Sequence, residues 1–104
     1  MTETLIVTYR LHEGVDPASF AAWSREVDTP RCLALDVCLG FSTYVASNPE
    51  ANQPHVVEVI TATSAKEWDR AMEEPGHQDV LQTWGTMADE STLSVLSAQP
   101  VTSP

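Results

Sequence analysis

The sequence predicts an α+β fold in which one four-stranded antiparallel sheet carries two helices on one face. Two observations predict it. Four β-rich or alternating runs recur along the chain, and helical patterns separate the first run from the second and the third from the fourth. The runs occupy residues 4–11, 41–46, 56–61 and 93–100. This β-α-β-β-α-β order fits one domain spanning residues 1–104, with a flexible tail at 99–104.

The predicted strands have distinct sequence signals. Residues 5–11 are rich in β-branched side chains, which favour strands. Gly40 precedes the second run, and the segment 47–54 contains two prolines and two asparagines, as is typical of a loop. The second and third strands should therefore pair as a hairpin.

The first helix should begin at Asp16 and Pro17. Asp accepts hydrogen bonds from free backbone N–H groups, and Pro lacks the N–H that would go unpaired at the first helical position. The apolar stripe that should pack on the sheet consists of Phe20, Trp23 and Val27. The segment 28–30 (Asp-Thr-Pro) should interrupt this helix, and residues 31–39 fit either further helical turns or an extended segment.

The second helix should begin with a capping box formed by Ser64 and Glu67, which satisfies two backbone N–H groups reciprocally. Pro75 and Gly76 should break it, and a second helical piece should cover residues 77–87. The side chains predicted to face inward are Trp68, Ala71, Met72, Val80, Leu81, Trp84 and Met87.

Residue parity predicts which face of the sheet each strand side chain occupies, because side chains alternate along a strand. The apolar set of the first strand, which should lie under the helices, is Leu5, Val7 and Tyr9. Thr8, Arg10 and Glu58 should meet on the uncovered face, where Arg10 and Glu58 could pair. The same face should carry Ile6, Val56 and Ile60. One small chain cannot cover it, so a homodimer is expected, with a pocket between the sheets.

Charge and composition exclude several functions. The chain has 15 acidic and 5 basic residues, whereas nucleic-acid binding requires clustered Lys and Arg and an anionic membrane would repel the chain. Residues 1–4 show no signal-peptide pattern, and no apolar run approaches the roughly 20 residues of a membrane helix. The two cysteines, Cys32 and Cys38, do not form a disulfide framework, so a cytoplasmic protein with reduced thiols is expected.

Glu58 and His77 are the strongest candidates for proton transfer. Burial of a carboxyl can raise its pKa into the range of a useful general base. His77 follows the Pro-Gly break at a helix start, where a neutral imidazole is favoured. Each residue also has a structural interpretation. Glu58 could form an ion pair with Arg10 at an interface, and His77 could pack at the start of the helix.

Other polar residues have less specific signals. Tyr44 could supply a hydroxyl to a ligand or serve as a core aromatic. Cys32 or Cys38 could pair with His77, although a buried inert thiol is the simpler alternative. The remaining histidines, expected at the surface, are His12 and His55. The sequence contains no common zinc-ligand spacing, phosphate-binding loop or nucleophile elbow, so no metal or cofactor is expected.

The chain resembles the dimeric α+β barrel superfamily of ferredoxin-like domains, many of whose members have a Pro-x-His step like Pro75-Gly76-His77. Its segments 14–23, 28–32 and 41–44 make it similar to the REDY-like (HapK-type) branch, whose members lie in gene clusters for prodiginine and bisindole pigments. The resemblance covers roughly residues 4–98. It implies a homodimer, a small aromatic nitrogen-containing substrate, action without a bound cofactor and a pocket bordered by His77. The roles of Asp28 and Cys32 stay open.

These residues and the resemblance together predict a cofactor-independent enzyme of bacterial secondary metabolism. It would direct cyclisation or hydrolysis of a reactive indole or pyrrole intermediate of the imine or enamine type. His77 and Glu58 would move protons, and Arg10 would hold a carboxylate or polarise a carbonyl. The predicted substrate contacts are Thr8, Trp23, Cys32, Tyr44 and Trp84. Two alternatives remain, a cofactor-free monooxygenase of the antibiotic-biosynthesis type and a non-catalytic protein that shields an unstable intermediate.

Overall fold

The sheet has the predicted topology in the computed structural model, which describes residues 2–101. Its strands are β1 (Glu3–Leu11), β2 (Cys38–Val45), β3 (Val56–Ala62) and β4 (Ala88–Ala98). Within the described range these four strands lie antiparallel in the order β2-β3-β1-β4. Helices separate β1 from β2 and β3 from β4, so the α+β class and the element order are confirmed.

The face assignment is confirmed for β1 and wrong for β3. Leu5, Val7 and Tyr9 are buried beneath the helices. Glu58 lies directly opposite Val7, and residues directly opposite one another in an antiparallel pair point to the same face. Glu58 is only 7% exposed and lies on the covered face. The open face was predicted because the opposite set of β3, Val57 and Val59, is the more apolar one and was expected under the helices. Burying the Glu58 carboxyl is costly, and a hydrogen bond from Tyr9 offsets part of that cost.

The open face of the sheet therefore differs in composition from the prediction. Arg10 does not pair with Glu58, and its guanidinium instead donates to the backbone carbonyls of Glu50 and Gln53. Val56 and Ile60 lie on the covered face with Glu58. The strand register places on the open face Ile6, Thr8, Ser42, Tyr44, Val57, Val59 and Leu96.

The first helical segment is continuous, which corrects the predicted interruption at 28–30. Helix α1 (Pro17–Trp23) leads into one π-helical turn (Ser24–Asp28) and then into helix α2 (Thr29–Leu33). Asp16 caps α1 as predicted, since its Oδ1 accepts from the Ala18 N–H at 3.3 Å. The Thr29 N–H donates to the Ser24 carbonyl five residues back, which is the hydrogen bond of a π turn.

The π turn changes which side chains face the sheet. Phe20 is fully buried and Trp23 is partly buried, but Val27 is 36% exposed, so the predicted stripe is wrong at its last position. The extra residue in the turn moves the inward positions after it by one residue, so Asp28 and Cys32 are buried, as is Ser24 at the start of the turn. Residues 24–32 thus bring a carboxyl and a thiol to the covered face.

The second helical segment follows the prediction closely. Helix α3 (Ala65–Glu73) begins with the capping box, in which the Glu67 N–H donates to Ser64 Oγ at 3.0 Å. A 3₁₀ turn (Pro75–His77) separates it from helix α4 (Gln78–Met87). Trp68, Ala71 and Val80 are buried against the sheet.

The last strand begins earlier than predicted. β4 starts at Ala88, directly after α4, because Ala88 and Asp89 pair with Leu11 and Arg10 of β1 before a bulge shifts the register. Residues 99–101 have no regular secondary structure. The rest of the predicted tail, 102–104, lies outside the described residues.

Candidate active site

A cavity of about 210 Å³ lies between the covered face of the sheet and the helices. A cavity of roughly 150 Å³ lined by apolar side chains is enough to bind benzene, so this one accommodates a small aromatic molecule. Its polar lining residues are Asp28, Cys32, Glu58, Asp69 and His77. Its apolar lining residues are Leu5, Val7, Phe41, Ile60, Trp68, Met72, Leu81, Trp84, Leu93 and Val95.

Glu58 is the central polar group of the cavity. Tyr9, its diagonal neighbour on the adjacent strand, donates a hydrogen bond from its hydroxyl to Glu58 Oε2. Burial raises the pKa of the Glu58 carboxyl to about 7, although the Tyr9 bond opposes the rise. Burial and the neighbouring carboxylate also raise the pKa of the Tyr9 hydroxyl, which therefore keeps its proton. A carboxyl that titrates near neutrality can act as both acid and base.

Asp28 and Cys32 form a second polar pair on the helical side of the cavity. They are four residues apart across the junction of the π turn and α2, and Cys32 Sγ donates to Asp28 Oδ1 at 3.4 Å. Burial raises the pKa of both groups, and the Asp28 carboxylate raises that of the thiol further. Cys32 is therefore a neutral thiol rather than a ready nucleophile.

His77 approaches the same pair from the 3₁₀ turn. Its Nε2 lies 4.0 Å from Cys32 Sγ, and the ring is 3% exposed. Arg31 fixes this turn against α2 by donating to the Gly76 carbonyl at 2.8 Å and to both oxygens of Asp79. Burial lowers the pKa of His77 and the Arg31 charge lowers it further, so the imidazole is neutral at pH 7. The Cys–His proximity left open by the sequence is thus present.

Aromatic rings form the walls around these groups. Phe41 and Trp68 stack with centroids 6.3 Å apart, and both line the cavity. Trp84 meets Tyr9 edge to face with ring centroids 5.2 Å apart and also lines the cavity. Flat apolar walls beside a few polar groups favour a planar ligand.

The structure brings only part of the predicted site together. Glu58, His77, Cys32 and Trp84 line one cavity. Arg10, Thr8 and Tyr44 do not, because their parity places them on the open face, and Tyr44 is 59% exposed. Trp23 packs on Phe20 instead of lining the cavity. The two remaining histidines also lie outside it: His12 is exposed, and His55 accepts a hydrogen bond from the Leu11 N–H.

Sequence reasoning missed Tyr9 and the inward orientation of Asp28. A buried tyrosine needs a polar partner, and the predicted pairing of the first and third strands places Glu58 within reach, so this signal was available. The i, i+4 spacing of Ser24, Asp28 and Cys32 is compatible with one helical face, but only the π turn turns that face inward.

The part of the chain that the structure describes contains neither a metal-binding cluster nor a membrane-spanning helix. Among residues 2–101, no group of three or more His, Cys, Asp or Glu side chains has the arrangement needed to hold a metal ion. Within the same range, no helix has the length and apolar character required to span a bilayer.

The fold places this chain in the class of ferredoxin-like α+β proteins. Its candidate site is a buried acid beside an aromatic cavity on the covered face of the sheet. A family profile described as REDY-like protein HapK matches residues 3–99, and the chain belongs to this family. HapK from Hahella chejuensis has a similar crystal structure, with 27% identity, a TM-score of 0.83 and coverage of 98% of this chain and 95% of that one. The comparison with curated protein sequences gave no match.

Other solved structures share the fold at lower identity. SnoaB from Streptomyces nogalater, a cofactor-independent oxygenase, is 13% identical with a TM-score of 0.69 over 98% of this chain and 95% of that one. A dimeric protein with a ferredoxin-like fold from Bacteroides fragilis is 11% identical with a TM-score of 0.60, over 94% and 95% of the two chains. At these identities the similarity shows the fold alone.

Proposed function

We propose that this protein is a cofactor-independent enzyme that directs cyclisation or hydrolysis of a small imine- or enamine-type indole or pyrrole intermediate. The observation that carries the proposal is the buried Glu58 carboxyl, which faces an aromatic-lined cavity and has a pKa raised to about 7. Membership of the REDY-like HapK family supports a role in biosynthesis, and the substrate class is the one that the resemblance to this family implies.

Glu58 would supply and remove protons at the substrate. For cyclisation, its acid form protonates an enamine carbon and leaves an iminium carbon, which a second ring attacks. The carboxylate then takes the proton that this ring loses as its aromaticity is restored. For hydrolysis, the carboxylate removes a proton from water as oxygen bonds to the imine carbon, and the resulting acid gives that proton to the nitrogen to form a carbinolamine. The carboxylate then takes the hydroxyl proton and passes it to the nitrogen as the carbonyl forms, the C–N bond breaks and the amine leaves. Neither the cyclisation nor the hydrolysis requires an oxidant or a reductant.

Tyr9 and His77 would support these transfers. The Tyr9 hydroxyl holds one oxygen of the Glu58 carboxyl, so the other oxygen is free to meet the substrate. The neutral imidazole of His77 can accept a proton from the attacking group on the other side of the cavity. Reactive intermediates of this type also react unaided, so orientation and restricted water access would select one product.

The proposed enzyme is a homodimer whose open sheet faces pack together. Tyr44 and Leu96 on that face are 59% and 62% exposed, and the strand register adds Val57 and Val59 beside them. A second copy would cover an apolar surface of this kind, and a stable dimer buries more than about 1,200 Å² in total.

The function is tested by proton exchange on a model substrate. 2-Methylindole exchanges its C3 hydrogen for deuterium through C3 protonation, and proton NMR in D₂O follows the loss of signal. We expect the protein to accelerate exchange over many turnovers per protomer. Glu58→Gln should lower the enzymatic rate by about 10²–10⁴-fold, and His77→Ala should lower it less, with both variants folded. Glu73→Gln, at an exposed helical position, is the matched control.

The same preparation distinguishes the alternatives. Oxygen uptake in an electrode with an indolic or phenolic substrate would favour a cofactor-free oxygenase. Exchange limited to one event per protomer, with tight binding, would favour a shielding protein. Full exchange activity in both Glu58→Gln and His77→Ala would show that the proton-transfer assignment is wrong.

A further inference from the structure

We infer that the cavity selects a substrate that is cationic, or becomes cationic as it reacts, and that carries no carboxylate. This inference rests on the proposed function and specifies its substrate class. It replaces the expectation that Arg10 holds a substrate carboxylate, because Arg10 lies on the open face of the sheet.

The ionisable groups around the cavity carry negative charge or none. Helix α4 and strands β2 and β4 contribute no ionisable side chain to the lining. The ionisable groups are Tyr9 from β1, Asp28 from the π turn, Cys32 from α2, Glu58 from β3, Asp69 from α3 and His77 from the 3₁₀ turn. Among the described residues that line the cavity, none is Arg or Lys. The Arg31 charge that acts on His77 lies outside the lining and already pairs with Asp79, so an anionic ligand would meet the carboxyl groups without a free cation in the lining.

Two of these carboxyls have hydrogen-bonding capacity left over. Glu58 is 7% exposed and Asp28 is 6% exposed. Among the described residues, the one donor to Glu58 is Tyr9 on Oε2, and the one donor to Asp28 is Cys32 on Oδ1. One oxygen of each carboxyl thus has no protein partner, although a buried carboxylate ordinarily requires several. Both residues line the cavity, so a ligand N–H or a positive charge there would satisfy them.

The aromatic walls strengthen the preference for positive charge. Trp68, Trp84 and Phe41 line the cavity, and the faces of such rings attract cations, Trp most strongly. An iminium ion formed by protonating an enamine would lie between these rings and the two carboxyls. The cavity would therefore stabilise the charge that develops during the reaction more than it stabilises the neutral starting material.

Three indole probes of similar size and different charge test the inference. Tryptamine is cationic, indole-3-acetamide is neutral and indole-3-acetate is anionic at pH 6–8. Calorimetric titration at pH 8 and physiological salt should give the affinity order tryptamine, indole-3-acetamide, indole-3-acetate. We expect a difference of at least about tenfold between the two charged probes.

Matched variants separate the site from the overall charge of the protein. Asp28→Asn removes one negative charge from the cavity and should reduce the preference for tryptamine over indole-3-acetamide by about threefold or more. Asp36→Asn removes one charge from an exposed position and should leave the preference unchanged. Equal losses in the two variants would attribute the preference to net charge and overturn the inference.

The wild-type protein provides a measurement that does not depend on a variant folding. Because Glu58 ionises near pH 7, the tryptamine preference should increase from pH 6 to pH 8, and Glu58→Gln should weaken that increase. Binding of indole-3-acetate as tightly as tryptamine, alongside binding of the neutral probe, would overturn the charge inference and leave the proposed function standing. Failure of all three probes to bind would instead contradict the aromatic site on which both proposals rest.

Discussion

At the residue scale, the chemistry of the site depends on one hydrogen bond between neighbouring strands. Tyr9 and Glu58 are buried together, and the phenol donates to the carboxyl. Burial raises the free-energy cost of ionising Glu58, and the hydrogen bond from Tyr9 reduces that cost. The balance lets the carboxyl keep its proton up to about pH 7. The fold therefore maintains a proton donor at neutral pH.

The raised pKa of Glu58 predicts a specific pH dependence of stability. Between about pH 4.5 and about pH 7 the folded protein binds the Glu58 proton while the unfolded chain releases it, so the free energy of unfolding should fall as pH rises. The loss should level off above pH 7 at roughly 3 kcal/mol or less. Urea unfolding of wild type and Glu58→Gln at pH 5 and pH 8 measures it as a difference between the two proteins.

The comparison between wild type and Glu58→Gln is needed because His77 also makes the free energy of unfolding depend on pH. Its pKa is lowered, so the folded state disfavours the charged imidazole and stability should fall as pH drops below about 6.5. That trend opposes the Glu58 trend in wild type and cancels when the two proteins are compared. A wild-type minus Glu58→Gln difference that is the same at pH 5 and pH 8 would mean that Glu58 ionises normally.

At the element scale, the π turn decides what α1 and α2 present to the cavity. A straight α-helix would continue the stripe of Phe20, Trp23 and Val27. The extra residue in Ser24–Asp28 moves Val27 outward and turns Asp28 inward. π turns occur often at functional sites because they re-aim side chains at a local cost, and this one supplies a carboxyl to the site.

The extra residue should be removable without turning this segment away from the cavity. Deletion of Glu26, an exposed residue of the π turn, should let the backbone close as a regular α-helix and move Asp28 to the inward position that Val27 would hold in a straight helix. We expect helical circular dichroism to persist and affinity for indole-3-acetamide to stay within about threefold of wild type. Glu26→Ala, which keeps the chain length and the π turn, should also bind normally. A loss of about tenfold or more in the deletion variant alone would show that the π turn places Asp28 in a way that a regular α-helix cannot.

The sequence predicted elements well and the site less well, for a physical reason. The Ser64–Glu67 capping box and the Asp16 cap are local signals, and the structure confirms both. The face of Glu58 depends on strand register and on the Tyr9 bond across it, which are non-local. Val27 was misplaced because no residue type marks a π turn. Four of the eight predicted site residues line the cavity: Cys32, Glu58, His77 and Trp84.

At the scale of the whole molecule, the two faces of the sheet have different roles. The covered face carries the cavity. The open face carries apolar side chains that would contact water in a monomer. Leu93 and Val95 of β4 line the cavity on the covered side and are nevertheless 42% and 57% exposed. The proposed dimer would use the open face and leave the cavity accessible from the helical side.

A charge on the open face should dissociate the proposed dimer. Val57 lies at the centre of that face, opposite Thr8 and Tyr44 on the flanking strands. Val57→Lys should therefore convert the dimer to monomers of 11.4 kDa in sedimentation at micromolar concentration. Leu33→Lys, on an exposed position of α2, should remain dimeric. A wild-type protein that sediments only as the monomer would disprove the proposed assembly.

The sheet order also determines when the chain can fold during synthesis. Central strand β1 emerges from the ribosome first, yet its neighbours β3 and β4 belong to the second half of the chain. Ser97 donates to Glu3 across a separation of 94 residues. At about 5–20 residues per second, the apolar side chains of β1 wait several seconds without a partner strand. The nascent chain is thus most open to chaperones or to mispairing through β1, and the cavity forms only after that strand is enclosed.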